Sequence, residues 1–381
     1  MQVFVRGIGV RLGLLLAVIA GLLALGTPSF KAAESLPAEV SDEAFWKMVV
    51  DMSEPDGSFQ FENFLSNELG YQYVIPRLLQ ITRPGGVYMG VAPEQNFTYI
   101  AAMKPKMAFI IDIRRQNMIE LLMYKSFFEM SETRADFISK LFARKRPEGL
   151  SEKSTASQMF NAYSLVPPDP DLYQQNLKAM KDLLVKTHKF GLKTADLDGT
   201  FSIGYVYSTF VDAGPSLDYS TGGRGAGANN PTYADLMVID DGTGENRSYL
   251  ATEENYRFIR EMEKKNLIVP LVGDFSGPKT VRAVGEYVRD RNATIEAFYL
   301  SNVEQYLFND AASADFYNNV ATLPLASSST FIRSFSGGGF GGGFGGGQFR
   351  FVSTLSSMKT LLEEFKAGRV RQYGDVRMLS Q

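Results

Sequence analysis

The residues best suited to chemistry lie between Gly90 and Arg115. Asp112 closes an apolar run about twenty positions after a turn glycine, Gly90, and an acid at that spacing accepts the hydroxyl hydrogens of a ribose. Arg114 and Arg115 follow it and could hold a carboxylate or a phosphate through paired N–H donors. Glu94 suits a positive helix start, and the free N–H groups of Gln95 and Asn96 point outward there. Asp274 ends a later apolar run, and Asn302 and Glu304 follow another. Glu94, Asn96, Asp112, Arg114, Asp274, Asn302 and Glu304 are therefore grouped as one polar cleft. The structural alternative is that Asp112 caps a loop or pairs with an arginine, and that Asn302 with Gln305 makes a capping box.

These positions need a parallel sheet to bring them together. Val87 to Val91 and Met107 to Ile113 are short, almost wholly apolar runs, as expected of buried parallel strands. Between them Pro93 suits a first helical position, Phe97, Ile100 and Ala101 share one helical face, and Pro105 ends the helix. Residues 252–308 repeat the theme as helix, strand, helix, strand, with Pro270 marking an edge or a bulge. The expected fold is α/β: a doubly wound, Rossmann-like, mostly parallel sheet with a helical insertion and an antiparallel C-terminal hairpin.

The segments divide as follows. Residues 1–33 have Arg6 and Arg11 before an apolar run, 12–26, of signal-peptide length, and no cysteine for a lipid anchor. They are read as a signal peptide or an uncleaved N-terminal anchor that places the body outside the cytoplasm, periplasmic or membrane-anchored. Residues 34–82 form a helical cap, 83–115 and 250–381 the α/β core, and 116–249 an insertion of helices and loops. Within the insertion 201–210 pairs as a strand and 221–230 is a glycine-rich loop. Ser336 to Phe349 is a low-complexity glycine loop between two strands.

Composition removes several chemistries. The chain has no cysteine, hence no disulfide, thiolate metal site or cysteine nucleophile. Its single histidine, His188, rules out a multi-histidine metal site and reads as a solvated surface residue on a basic helix end. Beyond residue 33 acidic residues outnumber basic ones, which argues against nucleic acid as a partner. A membrane is met only through the N-terminal segment, if that segment stays uncleaved.

The turn and acid at Gly90 and Asp112 resemble the first half of class I S-adenosylmethionine-dependent methyltransferases. The string GVAPEQNFTYIAA, with SNVEQYLF further on, resembles an uncharacterised bacterial family of methyltransferase-like proteins, from about Phe45 onward. The resemblance implies S-adenosylmethionine as cofactor, contacted by Gly90, Glu94, Asn96, Asp112 and Arg114. It implies a catalytic Asp274 at the end of strand four, and Asn67 and Glu68 over the cleft, with Asn302 and Glu304 on the substrate side. The expectation is an exported, methyltransferase-like protein with a nucleotide-type cleft and a small-molecule ligand. The alternative is a non-catalytic envelope protein that binds a small polar ligand or a protein partner in the same cleft. A hydrolase using Asp274 with Glu304 comes third.

Overall fold

The computed structural model describes residues 35–91, 94–219, 230–336 and 351–380. The leader, Pro93, most of the loop at 221–230 and most of the glycine repeat lie outside the described residues. Ser35–Gln381 is one compact unit. No described helix is long and apolar enough to cross a membrane.

The chain opens with α1 (Asp42–Met52), whose first turn is capped by the Ser41 hydroxyl, accepting from the Ala44 amide at 3.3 Å. A 3₁₀ turn (Tyr71–Val74) and α2 (Ile75–Ile81) follow, with Pro76 in the first turn of α2 where its missing N–H costs nothing. Then come β1 (Val87–Val91), α3 (Gln95–Met103) and β2 (Met107–Asp112), every described residue of both strands being buried. The insertion holds α4 (Arg115–Met130), α5 (Arg134–Leu141), α6 (Ala156–Ser164), α7 (Pro170–Asp182), α8 (Thr194–Asp198), α9 (Ile203–Ala213) and α10 (Tyr233–Val238). After α11 (Glu253–Lys264) the chain returns to the sheet as β3 (Ile268–Val272), α12 (Thr280–Asp290), β4 (Ile295–Ser301), α13 (Val303–Asn309) and α14 (Ser313–Val320). It ends with β5 (Leu325–Ser336), β6 (Phe351–Ser357), α15 (Met358–Lys366) and α16 (Tyr373–Met378).

The sheet order is β3-β2-β1-β4-β5-β6, with β6 antiparallel to β5 and every other pair parallel. This is a doubly wound sheet whose order reverses between β1 and β4, the place where such folds usually bind ligands. Pro270 sits on β3, an edge strand, where a missing ladder donor is tolerated.

Two expectations are corrected here. The segment 201–210 is helical, not a strand. Ser202 caps it by accepting from the Tyr205 amide, and Ile203, Val206, Tyr207, Phe210 and Val211 are buried at helical spacing. His188 is not solvated. Its imidazole lies 2.9 Å from both the Asp42 and the Glu129 carboxylates and stacks on Phe190, tying α1 to α4. Burial works against its protonation, but the two carboxylates outweigh it and raise its pKa.

Candidate functional site

A cleft of about 570 Å³ opens beyond the C-terminal end of β2. That is the size of a small-molecule site. Its floor is the start of α4, with Arg114, Arg115 and Gln116. One wall is the segment 56–62, and the other is Asp196, Thr200, Phe201 and Tyr219. Phe59 and Phe61 meet edge to face with 5.8 Å between ring centres, and Phe61 lies 5.8 Å from Tyr219. The cleft thus has an aromatic side and a polar floor.

On that floor Arg114 is 7 % exposed. It donates from Nη1 to the Phe61 carbonyl at 2.7 Å and holds Nε 3.6 Å from Asp112, while Nη2 has no hydrogen-bond partner. Gln116, 9 % exposed, likewise has an unpartnered Nε2. Both residues line the cleft, and each keeps a buried donor without an acceptor, which is costly unless something else fills that role. Arg115 is committed: it forks onto both oxygens of Asp196 at 2.7 Å, and its amide donates to Asp56 at 2.6 Å. Asp56 already fills the anion-favouring start of α4.

Asp112 accepts from the Arg114 amide at 2.9 Å. Burial pushes its carboxyl above the usual range against the pull of Arg114. Glu94 and Glu120 are buried, and the Glu120 carboxyl interacts through space with Glu94, Arg114 and Asp112. Neither oxygen of Glu94 has a well-formed hydrogen bond, although the backbone amides of Glu94 and Ser66 pull its pKa down against burial. Burial raises Glu94 to about 8 and Glu120 well above the carboxylate range. Neither end of the buried Asn117 amide is paired, nor is the Gln95 carbonyl oxygen.

The expected cleft is only partly assembled. Glu94, Asp112 and Arg114 come together. Gly90 lacks a side chain to make room for Asn96, whose Oδ1 would lie 1.9 Å from an added Cβ. Asn96 is tied locally, accepting from Tyr88 at 2.7 Å and donating to the Val91 carbonyl at 2.6 Å. At the reversal point between β1 and β4, Glu68 itself fills the crevice: its Oε1 accepts from Tyr299 at 2.9 Å and from Ser301, and Gln95 donates to Tyr299 at 2.5 Å. Burial lifts Glu68 to about 7. Asn67 precedes it and is half-buried.

The others lie apart. Glu304 is buried in a bidentate pair with Arg333 and accepts from Tyr317 at 2.7 Å. Asn302 makes no side-chain cap, so the expected box with Gln305 does not form. Asp274 follows β3, the edge strand beyond β2, and so does not end strand four as expected. It accepts from the Ser276 amide and hydroxyl at 2.8 Å and does not line the cleft.

Three features escaped sequence reasoning. The segment 56–62 carries no motif in the sequence, yet it walls the cleft. Gln116 and Glu120 look like ordinary members of an apolar helix; their signal was polar residues one turn apart at the start of an otherwise buried helix. The third is Gly273 to Thr280, GDFSGPKT, which runs from a strand toward a helix as phosphate-binding loops do. Here the chain supplies its own anion. The Glu54 carboxylate accepts from the amides of Asp274 (3.0 Å), Lys279 (2.7 Å) and Thr280 (3.0 Å).

No curated protein matches the chain. A family model does, over residues 39–162 and 231–377, two stretches that between them carry all six strands and the floor residues of the cleft, Arg114, Arg115 and Gln116. The chain belongs to the family described as Domain of unknown function (DUF7790).

Proposed function

We propose that this protein binds a small organic anion with a flat or apolar body in the cleft between the segment 56–62 and α4. The observation that carries this reading is that Arg114 and Gln116 line the cleft and each keeps a buried nitrogen, Nη2 and Nε2, without a hydrogen-bond partner. A carboxylate or phosphate would satisfy both with charge-assisted hydrogen bonds. Its body would lie against Phe59, Phe61 and Tyr219. The reading needs no catalytic step. If the leader at 1–33 directs export, the ligand is met outside the cytoplasm.

The second reading is binding of S-adenosylmethionine for methyl transfer. Asp112 favours it, since no described hydrogen bond occupies its second oxygen and a ribose hydroxyl would suit it. The rest of the surroundings fit the cofactor poorly. Asn96 takes the space beside Gly90, and Glu68 with Tyr299 fills the crevice beside β4.

Titration calorimetry with 3-phenylpropionate and with S-adenosylmethionine tests both readings. Saturable heat with 3-phenylpropionate, lost in Arg114→Lys because the fork is gone, is the expected result. Heat with S-adenosylmethionine alone, lost in Asp112→Ala, would reverse the order of the two readings.

A further inference from the structure

We infer that the protein has a second binding site, for the phosphate monoester of a small polyol, on the sheet edge opposite the cleft. A cavity of about 680 Å³ lies there. Its walls come from α2 and the turn after it, from the first half of β5, and from the end of β6 with the start of α15. β5 runs parallel to β4, and the end of β6 pairs Ser357 with Thr330. The cavity therefore sits at the N-terminal ends of the parallel strands, whereas the cleft lies beyond the C-terminal end of β2.

The lining is rich in donors. Arg77 and Arg83 belong to it, and among the described residues no aspartate, glutamate or aromatic side chain does. Arg77 donates to Gln80 at 3.1 Å, and neither arginine makes an ion pair with a described residue. Seven lining residues carry hydroxyls. Three of these donate within the chain: Thr82 to the Leu78 carbonyl, Thr330 to the Ser328 carbonyl and Ser328 to Glu296. The other four keep their hydrogens. Ser356 accepts from Arg333, Ser357 accepts from the Thr360 amide, and the hydroxyls of Ser327 and Thr360 make no described hydrogen bond. Glu296 is buried, does not line the cavity, and already accepts from Ser328 at 2.8 Å, from the Arg83 amide at 3.2 Å and from Thr294 at 2.8 Å. Ser357 caps α15, so a positive helix start adds to the same wall. Two guanidinium charges with spare hydroxyl donors match a group of several acceptor oxygens and about two negative charges, a phosphate monoester rather than a carboxylate. The volume exceeds that of a phosphate alone, and the hydroxyl lining suits a polyol body. A nucleobase would find no aromatic ring here to stack on.

Calorimetric titration of the full-chain protein with glucose 6-phosphate tests this, with inorganic phosphate and glucose beside it. Glucose 6-phosphate is expected to give saturable heat and to bind at least about tenfold more tightly than inorganic phosphate, and glucose to give none. Arg77→Gln and Arg83→Gln should each weaken glucose 6-phosphate about tenfold, and the double variant should abolish its binding. Both side chains are exposed, so these variants should melt with the wild type. Thr360→Val, which removes a hydroxyl from the same wall and leaves the charges in place, should weaken it about threefold. Arg114→Lys should leave it unchanged, because Arg114 lines the other cleft. No saturable heat from either phosphate compound overturns the inference, and so does undiminished binding in the double arginine variant or loss of binding in Arg114→Lys. Equal affinity for glucose 6-phosphate and inorganic phosphate overturns its polyol half. Failure here leaves the anion cleft standing, since 3-phenylpropionate tests that cleft separately.

Discussion

Beside β5 the buried Glu304 carboxylate is fully answered: Arg333 forks onto it, Tyr317 donates at 2.7 Å, and Arg333 also reaches Ser356. Beside β1 and β2 the equally buried Glu94 and Glu120 have carboxyl oxygens without partners, and Arg114 keeps an unpartnered nitrogen. Both clusters sit at C-terminal strand ends, and both desolvate charge. They differ in whether the chain completes its own hydrogen bonds. A cluster that completes them is packing. One that leaves several open, next to a cleft of about 570 Å³, has the makings of a site.

The sharpest way to break this comparison is to remove one carboxylate from each side. Glu304→Ala leaves Arg333 buried and unpaired, and denaturant unfolding should show a loss of about 3–5 kcal/mol. Glu120→Gln should leave stability unchanged or raise it, because Oε1 of the buried wild-type carboxyl lacks a partner and burial disfavours its charge. Equal losses would erase the distinction. A smaller effect is expected at the loop after β3. Glu54→Ala removes the anion that three amides share and should cost about 1.5–3 kcal/mol.

The pH dependence of stability probes the open side. Glu94 is raised from 4.5 to about 8 and Glu68 from 4.5 to about 7, chiefly by burial. The folded protein thus holds protons that the unfolded chain has released. Their contribution is fully present below pH 4.5 and is lost as pH rises through 7 to 8. Glu94→Gln should flatten that slope in melting curves taken from pH 5 to 9. The smallest expected effect belongs to His188, far from the cleft. Its raised pKa gives stability that is present below 6.5 and lost as pH rises through the folded value, so His188→Gln should remove a modest slope of the same sign.

Much of the frame was legible in the sequence, because local spacing determines it. The runs 87–91 and 107–113 read as buried parallel strands, Pro270 as an edge or a bulge, and the segments around the glycine repeat as an antiparallel pair; the sheet has both strands, the edge and the pair. The misreadings came from partners distant in sequence. Arg115 finds Asp196 81 positions away, and Glu54 finds Thr280 226 positions away. Neither pairing leaves a mark on local periodicity. His188 looked exposed because its neighbours are basic, while the residues that bury it lie on α1 and α4. Segment 201–210 misled for another reason. Its β-branched and aromatic residues suit either structure, and the deciding feature is the Ser202 cap with an apolar face that packs inward.

The most direct test of the central claim is a crystal of the protein soaked with 3-(4-bromophenyl)propionate, with the bromine located by anomalous scattering. The account predicts a bromine peak among Phe59, Phe61 and Tyr219, with the carboxylate on Arg114 Nη2 and Gln116 Nε2. A peak elsewhere, or a filled crevice between β1 and β4 with an empty cleft, would contradict it.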